Sequence, residues 1–119
     1  MNKEKKYNFF KNIGYALDGL KYLVTKERTF QIELMTILAV SLLSFLTGLI
    51  ELIEFLFLMP CFLLVLICEA INTAIESVVD LCVGDKFHLL AKYSKDTASG
   101  AVFLSILNAC FFYFYFVFN

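Results

Sequence analysis

The run from Phe55 to Val83 is apolar and long enough to cross a bilayer, yet its last third carries Glu69, Glu76 and Asp80. A helix needs about 20 apolar residues to span roughly 30 Å of hydrocarbon. Ionisable groups at that depth are costly and usually mark working sites. At about 100° per residue, Glu69, Asn72, Thr73, Glu76 and Asp80 fall within one stripe about 100° wide, while Ala70, Ile71, Ile75, Val78 and Val79 lie elsewhere. The acids therefore share one face of a helix. Glu69 and Glu76 are two turns apart, about 10 Å along the axis, so both can line a single elongated site.

The rest of the chain fits a membrane protein of one domain. Of 119 residues, 61% are hydrophobic, and the mean hydropathy is +0.78. Net charge is only -1, but all ten Lys and Arg lie before Gln31 or between Lys86 and Lys95. No cleavable signal peptide is expected, because a charged, amphipathic stretch precedes the first apolar run. Cys61, Cys68, Cys82 and Cys110 sit in or beside apolar segments without metal-ligand spacing and read as small apolar side chains. The basic residues hug the membrane boundary, which argues against nucleic acid as a partner.

The pattern predicts an all-α membrane protein with an N-terminal amphipathic surface helix and three transmembrane helices. Residues 1–6 are charged and expected to fray. Over 7–25, Phe9, Phe10, Ile13, Leu17, Leu20 and Val24 recur at helical spacing, opposite Asn8, Lys11, Asn12, Asp18 and Lys21. Such a helix lies in the membrane interface. Span one covers 30–50, with 34–50 uncharged, and Glu51 and Glu54 bracket a short turn. Span two covers 55–83 and contains Pro60, which predicts a local kink. A loop is expected over 84–95 and span three over 96–118, ending in the aromatic belt Phe111, Phe112, Tyr113, Phe114, Tyr115 and Phe116. Both basic clusters flank one side, so the N-terminus and the loop are placed in the cytoplasm and the C-terminus outside.

Glu27 and Glu33, the stripe of span two, His88 and Lys92, and the Lys95-Asp96 pair converge at that cytoplasmic end. Carboxylates there suit Mg²⁺, which takes one or two of them together with substrate phosphates, and Lys95 offers a point charge for phosphate. The alternative is an ionic latch between helices, or charges solvated at the surface. His88 lacks a second histidine for a transition-metal site and reads equally as a surface residue. The Gly-rich loops that commonly cradle nucleotide phosphates are absent, as is a Ser-His-Asp arrangement.

The segment Glu69-Ala70-Ile71-Asn72-Thr73-Ala74-Ile75-Glu76 with Val79-Asp80 resembles the signature of the small prokaryotic diacylglycerol kinase family. Ala91-Lys92, Lys95-Asp96 and Ser99-Gly100-Ala101 look like its second block, and Gly14-Tyr15, Gly19-Leu20 and Glu27-Arg28-Thr29-Phe30 are similar to its N-terminal region. The resemblance implies a homotrimeric helical bundle using MgATP in sites built from neighbouring subunits. It further implies Glu69 as general base, Glu27 and Glu76 as magnesium acids that also bind nucleotide, Tyr15, Lys95 and Asp96 as nucleotide-binding, Asn72 and Asp80 as supporting, and His88 as a possible nucleotide contact. Asn8 and Lys86 depart from residues that some relatives carry. The run from Asp85 to Lys92 looks like the Gram-positive branch, whose members phosphorylate undecaprenol.

The expected function is therefore ATP- and magnesium-dependent phosphorylation of a membrane lipid alcohol in the bacterial cytoplasmic membrane, with undecaprenol as the leading acceptor. Diacylglycerol is the competing substrate. From another class, a small oligomeric transporter or scaffold would also place a carboxylate within the membrane.

Overall fold

The computed structural model describes residues 8–119. The expectations for residues 1–6 and for a helix start at Tyr7 lie outside the described residues. The chain is all-α, with helices α1 (Phe9–Lys26), α2 (Arg28–Thr47), α3 (Leu52–Val83) and α4 (Leu89–Phe118) joined by short links.

Helix α1 starts where Asn8, in extended conformation, accepts a hydrogen bond on Oδ1 from the Lys11 N–H at 3.2 Å. A short polar side chain at that position satisfies one of the four backbone donors that a helix start leaves free. Only Leu23 of this helix is buried, while Phe9, Phe10, Ile13, Leu17, Leu20 and Val24 stay exposed. The apolar face of α1 is thus left to a surrounding medium, and the helix packs on α2 alone among its stronger neighbours. Glu27 breaks the helix with φ -96° and ψ 107°, and α2 begins at the next residue.

Span one, expected over 30–50, is helical from Arg28 and stops at Thr47. Its end is set by Gly48, whose φ of 66° and ψ of 19° are left-handed, a conformation open to glycine at little steric cost. The Gly48 N–H turns back to the Phe45 and Ser44 carbonyls, and Leu49 N–H reaches Ser44 O at 3.0 Å. Helix α3 opens with the Glu54 carboxylate accepting from the Glu51 N–H at 2.8 Å, a reciprocal arrangement that favours a helix start. It continues on both sides of Pro60 for 32 residues, about 48 Å. Gly84, with φ 55°, ends it and donates to Asp80 O at 2.9 Å.

The loop expected over 84–95 is corrected to 84–88, because α4 already starts at Leu89. His88 Nδ1 accepts from the Leu90 N–H at 3.2 Å, and Leu89, Leu90, Ala91 and Lys92 are good helix formers. Lys92 and Asp96, one turn apart, add an ion pair on the exposed face.

Helices α3 and α4 make the main packing contact. The buried positions on α4 are Ala98, Val102, Ser105 and Ala109, spaced four, three and four apart. Small side chains at that spacing let two membrane helices approach closely. The facing stripe on α3 is Leu58, Val65, Glu69 and Asn72. A hydrogen bond of 2.8 Å between Ser44 and Tyr113 ties α2 to α4. Between 11 and 17% of the apolar windows of α2, α3 and α4 is buried within the chain. With three helices long and apolar enough to cross a membrane, and most of their surface open, the chain is a multi-pass membrane protein.

Candidate active site

The site is built on the second half of α3. Counted from Phe55, Glu69 lies about 21 Å along the helix and Glu76 about 32 Å, against a hydrocarbon thickness of roughly 30 Å. Glu69 thus sits at membrane depth and Glu76 at the rim. Glu69 is 4% exposed and Asn72 8%, so two polar side chains continue the stripe that buries Leu58 and Val65. Asn72 Nδ2 donates to Glu76 Oε1 at 3.4 Å, a long bond that leaves the carboxylate room to take another partner.

Two further acids join from the start of α2. Glu69 is within electrostatic reach of Glu76 and Glu27, and Glu33 within reach of Glu69. Four carboxylates are gathered at one end of the bundle, and among the described residues none of the four forms an ion pair. Glu27 occupies the single non-helical residue between α1 and α2. There it also engages Tyr22. A hydrogen bond to Glu27, and the negative charge beside it, push the Tyr22 phenol above its ordinary value, so Tyr22 remains a neutral donor at physiological pH.

Two buried oxygens, Glu33 Oε2 and Asn72 Oδ1, have no hydrogen-bond partner. Orphaned acceptors are expensive in a helical membrane protein, where lipid supplies no donor. These oxygens and the carboxylates of Glu27 and Glu76 are hard donors, the ligand type that Mg²⁺ takes. Among the described residues, no three His, Cys, Asp or Glu side chains form a metal-binding group by themselves. Magnesium does not need one, since it commonly keeps waters and takes substrate phosphates beside one or two carboxylates.

The basic residues lie one step further along. Lys95 Nζ donates to Asp80 Oδ1 at 3.0 Å, joining the start of α4 to the end of α3, with the lysine side chain 38% and the aspartate 62% exposed. Asp96 instead pairs with Lys92. His88 is committed through Nδ1 to the α4 N-terminus. Tyr15 is exposed on α1, with Lys11 Nζ 5.8 Å from its ring centre. Of the residues singled out from the sequence, the structure therefore gathers Glu27, Glu69, Asn72 and Glu76, and pairs Asp80 with Lys95. Tyr15, His88 and Asp96 have their contacts elsewhere. Glu33, expected with Glu27 among the acids converging at this end but without a role of its own, is here within electrostatic reach of Glu69. Tyr22 was not singled out.

Beside the acids, a groove of about 340 Å³ runs between α2, α3 and α4. Ile37, Val40, Phe62, Val65 and Ile106 line it, Glu33 sits at one end and Tyr113 at the other. An apolar trough ending at a carboxylate suits a lipid with a polar head.

Comparison with known proteins matches residues 14–118 to the family described as prokaryotic diacylglycerol kinase. A diacylglycerol kinase of Synechocystis sp. is 42% identical over 103 residues, covering 86% of this chain and 58% of that protein. A diacylglycerol kinase of Helicobacter pylori strain J99 is 41% identical over 100 residues, covering 82% and 75% respectively. An undecaprenol kinase of Bacillus subtilis strain 168 is 40% identical over 105 residues, covering 86% and 81%. The chain thus spans under two thirds of the Synechocystis protein, and more of the other two.

Proposed function

The chain belongs to the prokaryotic diacylglycerol kinase family, and from that premise we propose that it transfers the γ-phosphoryl group of ATP to the hydroxyl of a membrane lipid, with undecaprenol as the acceptor. The observation that carries the reading is the buried Glu69, at membrane depth, beside a cluster of unpaired carboxylates at the membrane rim. A lipid hydroxyl reaches the first from the bilayer, and a nucleotide reaches the second from water.

In the proposed reaction Glu69 accepts the hydroxyl proton as the lipid oxygen attacks the γ-phosphorus in line with the bond to the β-phosphate oxygen. That bond breaks, leaving ADP and a lipid phosphate. Phosphoryl transfer depends on positioning and charge stabilisation more than on covalent help. Glu27 and Glu76 would hold Mg²⁺, which when bound neutralises charge on the phosphate oxygens. Asn72 orients Glu76. Lys95 turns from Asp80 to phosphate, and Tyr15, Asp96 and His88 contact the nucleotide. The N-terminus and residues 84–88 face the cytoplasm, and the chain assembles as a homotrimer whose neighbours complete each site. The open apolar surface of the spans supports assembly.

Diacylglycerol is the second reading, favoured by the names of the Synechocystis and Helicobacter relatives, whose identity is close to that of the undecaprenol kinase. The deciding experiment is magnesium-dependent transfer of labelled phosphate from ATP to each lipid at equal mole fraction, with purified protein and Glu69→Gln as control. Transfer to undecaprenol that the control lacks supports the proposal. Preference for diacylglycerol overturns the choice of acceptor, and no transfer to either by folded protein moves the function to transport or scaffolding.

A further inference from the structure

We propose that Gln31 is a positioning residue, whose carboxamide locks the elbow between α1 and α2 and so holds Glu27 in place against Glu69. This rests on the reading of Glu27 as a magnesium acid. The last carbonyls of a helix have no partner within it. At the end of α1, the Leu23 carbonyl is taken by the Glu27 N–H at 3.2 Å, but the Val24 carbonyl is taken by Gln31 Nε2 at 2.9 Å, from a side chain seven residues on. The Gln31 backbone N–H meanwhile donates to the Glu27 carbonyl at 3.1 Å. One residue therefore holds the chain at Glu27 itself and at the last turn of α1 before it.

The grip matters because Glu27 is the whole connection. With one non-helical residue between two helices, the direction of its side chain is fixed by the angle at which α1 leaves α2. Burial of Leu23 and Phe30 keeps the two helices near each other, but apolar contact is non-directional. A hydrogen bond constrains direction as well as distance. Its loss would leave the Val24 carbonyl to water and let α1 pivot about Glu27.

Gln31→Met keeps the length of the side chain and removes the donor, whereas Gln31→Lys keeps a donor at similar reach. Both are made in a chain whose native cysteines are replaced, with spin labels at Asp18→Cys on α1 and Leu38→Cys on α2, reconstituted in phospholipid nanodiscs. Three quantities are read: the distance distribution between labels, Mn²⁺ binding in the presence of a non-hydrolysable ATP analogue, and the magnesium dependence of phosphoryl transfer. Gln31→Met is expected to broaden the distribution and raise the half-saturating metal concentration roughly fivefold, the effect of one hydrogen bond. The maximal rate at saturating metal should stay within about twofold. Gln31→Lys should restore both properties. An unchanged distribution and metal dependence in Gln31→Met overturns the latch, and so does a defect that Gln31→Lys fails to repair. If Gln31→Met broadens the distribution while the parent chain neither binds Mn²⁺ nor transfers phosphate, the latch stands and the role of Glu27 falls.

Discussion

Glu69 and Glu76 share a face of one helix but live in different surroundings, and that difference separates their expected roles. Glu69→Gln removes a proton acceptor while keeping shape and hydrogen-bonding capacity, so it should abolish turnover and leave MgATP binding near the parent value. Glu76→Gln should weaken metal-dependent nucleotide binding, which calorimetry with a non-hydrolysable ATP analogue measures directly. Equal turnover in Glu69→Gln and the parent chain removes the base assignment. A separate test concerns Glu27 and Tyr22. The Tyr22 phenol titrates above its ordinary value because Glu27 accepts a hydrogen bond from its neutral form and repels its ionised form. That pairing is present below the ordinary tyrosine range and lost as pH rises through the raised value. In Glu27→Gln the Tyr22 titration, followed by NMR of ring-labelled tyrosine, should move down. At this scale the stripe over 69–80 was legible because helical periodicity alone aligns it. The gathering of Glu27 and Glu33 at the same membrane end was also legible, but not which acid of the stripe Glu33 would meet, since that depends on how two separate helices pack.

The end of α3 was legible at Gly84, where polarity changes abruptly, whereas span one was expected to run to 50 and its helix stops at Thr47, ahead of the left-handed Gly48. The start of α4 was obscured, because polar composition over 84–95 concealed a helix that His88 caps from its own side chain. Polarity reports the medium around a segment, whereas the backbone conformation depends on caps and propensity. His88→Ala should therefore fray the first turn of α4, costing about 1 kcal/mol as caps usually do. Faster amide hydrogen exchange at Leu90, Ala91 and Lys92, with the centre of α4 unchanged, would register it. Asn8 accounts in the same way for one departure from the family pattern, because it serves as the N-terminal cap of α1. At Gly48 an added Cβ meets nothing within 4 Å, so the whole penalty of Gly48→Val is backbone strain of about 1–2 kcal/mol. Gly48→Asn should be milder, and thermal unfolding in detergent would rank the two.

As a whole molecule the chain is long and thin, 60 × 39 × 22 Å, and Leu58 is the one side chain among the described residues that is fully buried. The three spans and their order were readable from hydropathy. How their outer faces are covered was not, because lipid and another copy of the chain present the same apolar chemistry. The proposed trimer predicts that native mass spectrometry of detergent-extracted protein finds three chains, and a monomer that retains turnover would refute it. The connection between α2 and α3 carries a consequence for biogenesis. Residues 48–51 are the whole link between the two helices, so α2 and α3 form a tight helical hairpin. In the proposed orientation, with the N-terminus in the cytoplasm, the tip of that hairpin carries Glu51 and Glu54 to the far side of the bilayer. Glu69, Glu76 and Asp80, at the far end of α3, are the last acids of that hairpin to be synthesised, so the polar stripe reaches the membrane only after the apolar half of its own helix.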